Sequence, residues 1–540
     1  MKKLIYIPFT VLMILLFSSC AEELTDLANP NKATIGTFWE TEDDFIRGTN
    51  AVYQALLFDG CFRRVNVWRL DVHADDVTST TPWWIRGVSQ FIYEGPADNP
   101  VFRNVWEHNY IGVWRANQLI LNLEPFDGLD KDLKERLLGE AYFLRGLYYY
   151  YLLVNHKEVI LVLPENMDEF YQPLSTREAV WDQVVFDFST ALEKLPTKEE
   201  YSAADLGRAT KGAAAGFLAK TYMILHRFSD AEPLLNTLAN SNTYGSYDLV
   251  PNYRDNFTEF TENNAESLFE VQFDIEAGGT NEPDSWLPIE PAADWAKTNG
   301  RIKGYAPVPY GWGDVAPTDW IYEEFLKERT IDNELDPRLS ASMWFGDPAD
   351  EFIMYTDTVS LAELDVAYAV ERDYRIFIRK YLSDETSDSD GENSWLSGNN
   401  ERILRFADIL LLYGECLNEL GRTSEAAVPV QRVRDRANLP NLATTKPIVI
   451  TSQDSMRYQI YHERALELCF EGQRLIDLIR WGCFENVDLD ISQMVNPELW
   501  EMILEHDPEY ELYQAGHEFL AIPVAEVNAN YLIEQDPAYQ

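Results

Sequence analysis

Two groups of aromatic residues stand apart from any helical spacing in this 540-residue chain, and they carry its most legible chemistry. The first is Trp83-Trp84, which follows Asp71-Val72-His73-Ala74-Asp75-Asp76 and a turn rich in Thr and Ser. The second runs through Trp286, Trp295, Tyr305, Tyr310 and Trp312, interrupted by Pro288, Pro291, Pro307 and Pro309. Flat rings of this kind stack on the apolar C–H face of a pyranose, and charged groups at their edges bond its hydroxyls. Adjacent indoles without helical spacing are hard to bury together, and prolines hold a loop in shape before a ligand arrives, which lowers the ordering cost of binding. The residues selected as ligand contacts are Trp84, Trp286 and Trp312 first, then Trp83, Trp295 and Tyr310, with Asp71, Asp75, Asp76 and Arg86 as hydroxyl partners. Some of the rings are expected to pin loops to the scaffold instead. Trp320 precedes the apolar pattern Ile321, Phe325 and Leu326 and is assigned to the core.

Other chemistry finds no anchor. The chain has no GxSxG elbow, HExxH helix, GxxxxGK[ST] loop or GxGxxG turn, and with 90 Asp and Glu any chosen acid–base pair is uninformative, so no catalytic residue is assigned. The seven histidines are dispersed, and His462 beside Glu463 begins no metal motif. Asp388-Ser389-Asp390-Gly391-Glu392-Asn393 resembles a calcium loop, but Thr386 and Ser397 occupy its first and closing ligand positions, so it reads as an acidic loop. No cofactor is expected and no metal site is assigned, although so acidic a chain leaves room for calcium elsewhere. The formal charge of -46 argues against nucleic acid as a ligand, because phosphate binding needs a basic surface. Besides Cys20, the cysteines Cys61, Cys416, Cys469 and Cys483 are too scattered for a disulfide framework or a zinc site. Cys416 and Cys469 fall in apolar helical patterns, where a free thiol behaves as a small buried hydrophobe.

The elements that must position these aromatics are helices. Helical periodicity fills residues 40–240 and 400–485, and the intervening stretch, rich in Gly, Pro, Asn and Trp, reads as loops with short strands. Leu218, Ala219 and Tyr222 are followed by Ala231, Leu235 and Leu238; Tyr413, Gly414 and Leu417 are followed, at identical spacing, by Ala426, Val430 and Val433. This is the large-and-small packing pattern of a tetratricopeptide helix pair. Further helices are expected over Asp132 to Leu153 and over Tyr458 to Trp481. In the latter, Arg464, Arg474 and Arg480 alternate with Glu463, Glu467, Glu471 and Asp477, which points to ion pairs along or between helices. The expected fold is mainly α, a tetratricopeptide-like scaffold with an inserted loop-rich ligand-binding region that contains short strands. Its expected parts are residues 20–245, a loop-rich 246–400, and 401–540 completing a single domain.

In front of these lies Met1-Lys2-Lys3, an apolar run from Leu4 to Phe17, and Ser18-Ser19-Cys20. This is the layout of a secretory signal over residues 1–19, too short to span a bilayer, and it resembles a lipobox with Cys20 as the acylated residue. The acidic residues after Cys20 resemble the tag that sends some lipoproteins to the outer face of an outer membrane.

Taken in order, several segments resemble the SusD/RagB family of outer-membrane nutrient-binding lipoproteins. They are Phe38-Trp39, Arg115-Ala116-Asn117-Gln118, Phe143-Leu144-Arg145-Gly146, Gly207-Arg208-Ala209-Thr210-Lys211, Arg432-Val433-Arg434-Asp435-Arg436, Glu463-Arg464-Ala465-Leu466-Glu467, Phe470-Glu471-Gly472-Gln473-Arg474 and Gln535-Asp536-Pro537-Ala538-Tyr539. Gly146 stands where the family usually has Ala, and the ending varies the common Gln-Asn-Pro-Gly-Tyr. The resemblance implies a helical fold with four tetratricopeptide-like units, a ligand platform drawn from an early loop and the middle region, and a partner: a TonB-dependent SusC-like transporter over which the chain acts as a lid. The reading that follows is a cell-surface binder of an oligosaccharide or polysaccharide, lipid-anchored in the outer membrane and not an enzyme. A binder of peptides or other non-sugar nutrients, a glycoside hydrolase and a purely structural scaffold are the rivals.

Overall fold

The computed structural model describes residues 38–79, 84–89, 91, 100–274, 298–354, 357–366, 375–382, 397–484 and 496–539. The signal, Cys20, Trp83, Trp286, Trp295 and most of the acidic loop around Asp388 lie outside these residues.

The N-terminal part is built from helices whose ends are written in the sequence. α1 (Glu42–Gln54) starts at a capping box in which the Thr41 hydroxyl and the Asp44 carboxylate each satisfy the other's backbone N–H. α2 (Val65–Val72) leads into strand β1 (Val77–Ser79), and α3 (Trp84–Ser89) follows. Two long helices, α4 (Pro100–Leu123) and α5 (Lys131–Asn155), are capped between them by Asp130, whose side chain accepts from the N–H groups of Asp132 and Leu133. α6 (Arg177–Lys194) packs on α5 through the buried pair Arg145–Asp187 at 2.6 Å, beside Gly146. A Cβ on Gly146 would lie 3.1 Å from Asp187 Cβ and Phe188 Cε1, so alanine, usual in the family here, would press on this contact.

α7 (Lys211–Ile224) and α8 (Phe228–Asn240) form one of the two hairpins expected from the repeat spacing. The other is α11 (Phe406–Glu419) and α12 (Thr423–Arg436), reached after the middle elements α9 (Arg301–Tyr305) and α10 (Asp319–Leu326). Corresponding residues turn both corners. His226 and Gly421 take positive φ, Arg227 N–H donates to Tyr222 O and Arg422 N–H to Leu417 O, both at 2.8 Å. The side chains of Arg227 and Arg422 then pair with Asp230 and Glu425 in the first turn of the next helix. A Cβ on Gly414 would meet Val430 Cγ2 at 2.7 Å, so the small residue sets the approach of α12 to α11.

The strands are short and occur as two-stranded antiparallel ribbons: β1 with β3 (Val315–Pro317), β2 (Ser267–Val271) with β8 (Glu401–Arg405), β4 (Met343–Gly346) with β7 (Arg375–Ile378), and β5 (Glu351–Met354) with β6 (Asp357–Ser360). β1 lies within the first block that helical periodicity dominates, and pairing with β3 ties it to the middle region.

The helix expected over Tyr458 to Trp481 is interrupted: α13 (Gln453–Leu468) stops, Phe470 and Gly472 take positive φ, and α14 (Arg474–Arg480) begins after them. The apolar period continues through the break, which is why periodicity misses it. The break releases two backbone N–H groups that buried carboxylates accept, Phe470 to Asp76 at 3.1 Å and Gly472 to Asp71 at 2.7 Å. α15 (Pro497–His506) closes this side.

The alternating charges of α13 and α14 are buried and paired. Arg464 bridges Asp477 and Asp408, each at 2.8 Å; Arg405 spans Glu266, Glu467 and Glu471; Arg338 joins Glu463 and Glu467; and Lys220 meets Asp408 at 2.6 Å. Removing one partner strands the others without water. Arg464→Met should therefore lower unfolding free energy by about 3–5 kcal/mol in chemical denaturation, whereas Arg47→Met, which breaks the exposed Arg47–Asp43 pair, should leave the midpoint nearly unchanged.

Candidate functional site

Strands β1 and β3 join the early segment to the turn that carries Trp312. Their register pairs Ser79 with Val315, so the chain leaving β1 toward Trp83-Trp84 and the chain entering β3 from Trp312 emerge at the same end of one ribbon. Trp84 opens α3, but its side chain and that of Arg86 lie outside the described residues, as do Trp83, Trp286 and Trp295. The candidate site is accordingly framed by the turn that carries Tyr310 and Trp312.

That turn folds back on α9 through a run of backbone hydrogen bonds. Trp312 N–H donates to Lys303 O at 2.7 Å, Gly313 N–H to Ala306 O at 2.9 Å and Asp314 N–H to Gly304 O at 2.9 Å, while Tyr310 N–H donates to Pro307 O at 2.8 Å. Two glycines permit it: a Cβ on Gly311 would sit 2.4 Å from Ala306 O, and Gly313 has a φ of 59°. A further bridge joins Val308 and Asp365 in both directions. Tyr310 is half-buried against a small core that includes Ile302, Ala306 and Leu361, whereas Trp312 remains 40% exposed. The result is a fixed turn with an indole at the surface.

Beneath it the acidic residues act differently from expectation. Asp71, Asp75 and Asp76, selected as hydroxyl partners, are 2%, 0% and 1% exposed and cannot reach a ligand at the surface. Asp71 accepts from Arg301 at 2.6 Å, from the Tyr305 hydroxyl and from Gly472 N–H. Asp75 holds Arg474 side-on, with Nε at 2.6 Å and Nη2 at 2.8 Å, and meets His506 at 3.2 Å. Burial would raise the Asp75 pKa, but the Arg474 charge and hydrogen bonds override it and hold the carboxyl below its usual range. Asp76, buried beside Asp71 and Asp75, is pushed up to about 8 by burial and by those two neighbours. Tyr305, placed with the ligand-facing aromatics, is likewise buried and belongs to this seat.

Trp320, assigned to the core, packs against it while leaving part of its ring at the surface. It is half-buried at the start of α10, stacked on His506 with centroids 4.5 Å apart and planes 11° apart, and it lines a cleft of about 700 Å³ between α10, α13 and α15. The apolar pattern after Trp320 describes where Ile321 and Phe325 go and says nothing of the residue that precedes it. Tyr458 and Tyr461 share that cleft, and no sequence feature marked them. Among the described residues no group of three or more His, Cys, Asp or Glu side chains is arranged to hold a metal, and no helix is long and apolar enough to cross a membrane.

A titratable carboxyl, Asp314, lies at the end of the turn. Burial raises the Asp314 carboxyl to about 6 from an ordinary value of 3.8, against the pull of Arg64. Because the folded protein holds this proton more tightly than the unfolded chain, ionisation of Asp314 reduces stability as pH rises from about 4 to about 6, and the loss is complete above that. Asp314→Asn should therefore raise the melting temperature at pH 7 relative to the parent, with the difference shrinking toward pH 4.

Comparison with known proteins gives the following. A family model described as "SusD family" matches residues 265–539, and one described as "Starch-binding associating with outer membrane" matches residues 49–223. SusD-like protein P38 of Formosa agariphila is 26% identical, over 89% of this chain and 92% of its own. A SusD superfamily protein from Bacteroides vulgatus superposes with a TM-score of 0.74 at 25% identity, covering 93% of this chain and 100% of that one. Surface glycan-binding protein A from Bacteroides thetaiotaomicron, solved in complex with laminarihexaose, superposes with a TM-score of 0.67 at 21% identity, covering 92% of this chain and 99% of that one.

Proposed function

We propose, from the premise that this chain belongs to the SusD/RagB family, that it captures an oligosaccharide or polysaccharide at the cell surface and passes it to a TonB-dependent SusC-like transporter. The observation that carries the reading is Trp312, an exposed indole on a turn fixed by backbone hydrogen bonds, at the end of the ribbon from which the Trp83-Trp84 segment also departs. An indole held in this way offers a flat apolar surface to a sugar ring without first being ordered. Solved relatives of the same fold that bear the names of glycan-binding proteins support a sugar over a peptide, and the description of the second family model supports association with an outer membrane. Acylation at Cys20 would supply the tether.

Binding without catalysis suits the role. Capture by stacking and hydroxyl contacts is reversible, so the ligand can leave toward the transporter, and the energy for transfer comes from the partner.

Affinity electrophoresis on a panel of neutral and acidic polysaccharides tests this. At least one glycan should retard the protein, and Trp312→Ala should weaken that binding by about 2 kcal/mol with an unchanged melting temperature. Retardation by no glycan, together with binding of peptides, would replace the sugar reading with the peptide one.

A further inference from the structure

The cleft beside Trp320 lies at the opposite end of the β1–β3 ribbon from Trp312, since Trp320 follows the residue paired with Val77 and Trp312 precedes the one paired with Ser79. It differs from the Trp312 turn in being concave, with a volume of about 700 Å³. Apolar surface forms much of its lining, from Trp320, Met502 and the rings of Tyr458 and Tyr461, and the Tyr458 ring is 38% exposed.

Besides His462 Nε2, which stands 3.4 Å from Glu328, two buried nitrogens of residues that line it lack hydrogen-bond partners. Gln459 is 6% exposed; its Oε1 accepts from Lys446 Nζ at 3.1 Å, which fixes the amide orientation, and its Nε2 bonds nothing. Arg474, also 6% exposed, gives Nε and Nη2 to Asp75 and leaves Nη1 without a partner. Buried N–H groups are rarely left in this state, because an unmade hydrogen bond is costly away from water. Each calls for an acceptor.

The charges around the cleft restrict what that acceptor is. Lys327 is paired with Glu324, Lys446 with Glu328 and His462 with both glutamates, and Arg474 and Glu505 also line the cleft, so an anion meets carboxylates and a cation meets cationic groups. A neutral polyol meets neither repulsion, and its hydroxyls accept, as Gln459 and Arg474 require. We infer that this cleft is a second carbohydrate site, separate from the Trp312 turn, that takes one or two pyranose units of a neutral glycan against Tyr458, with hydroxyls accepting from Gln459 Nε2 and Arg474 Nη1. The inference rests on the proposed sugar reading for the choice of ligand class, and on its own geometry for the site.

Crystals of the full chain soaked separately with cellotriose, laminaritriose, xylotriose and mannotriose test it, with calorimetric titration of the same sugars. The expected result is density for a sugar ring in the cleft with at least one trisaccharide. Tyr458→Ala and Gln459→Leu should each weaken that binding by about tenfold or more, and Trp312→Ala should leave it intact. Two variants are used so that misfolding of one does not decide the matter. Density at the Trp312 turn with an empty cleft would overturn this inference and leave the proposed function standing, whereas density in neither place would overturn both. Equal loss of cleft binding in Trp312→Ala would also overturn it, by showing one site where two are inferred.

Discussion

The end of this molecule that carries the Trp312 turn rests on a pair of buried carboxylates, Asp71 and Asp75, held by Arg301 and Arg474. Taking such charges out of water is costly, and the cost is recovered only where geometry is good and every remaining lone pair is used. Here Asp71 accepts from a guanidinium, a phenol and a backbone amide, and Asp75 from a guanidinium fork and an imidazole. Arg301 also reaches Glu401 and the Phe470 carbonyl, so one guanidinium joins the early loop, the middle region and the break between α13 and α14. Arg301 is the first residue of α9, and α9 is the surface on which the Trp312 turn folds. The position of the exposed indole is therefore tied to the buried charges that hold α9.

The helical scaffold was legible in the sequence because its physics is local. The two hairpins follow from apolar spacing, and their corners from a glycine or a histidine in the left-handed region followed by an arginine that pairs one turn ahead. Ion pairing along α13 and α14 was equally readable, since alternating charge on apolar helices has few other outcomes. What escaped was long-range. Asp71, at the end of α2, and Asp75 precede Trp83-Trp84 in the sequence and read as the rim of a binding site, yet their partners come from residues some 230 to 431 positions away. The break after Leu468 was hidden for the same reason: the apolar period runs through it, and only the carboxylates waiting for Phe470 and Gly472 N–H explain it.

The candidate site divides likewise. Trp312 was found because an aromatic among prolines and glycines has no helix to join, and the structure leaves it exposed. Tyr305, a few residues earlier, had the same surroundings in sequence but falls on the inner side of α9 with its hydroxyl on Asp71. Trp320 was assigned by the pattern that follows it, although a residue at the first turn of a helix can face away from the stripe that the helix buries. Sequence spacing thus selects Tyr305 and Trp312 alike, and the tertiary charge network decides which of the two side chains faces outward.

A rigid platform seated on buried charge is the central claim, and hydrogen–deuterium exchange of the free protein tests it most directly. The amides of Trp312, Gly313 and Asp314, which donate to Lys303, Ala306 and Gly304, should exchange as slowly as those in the middle of α5 with no sugar present. Exchange at the rate of an open loop, slowing only when a glycan is added, would mean that the ligand builds the platform and would contradict the account.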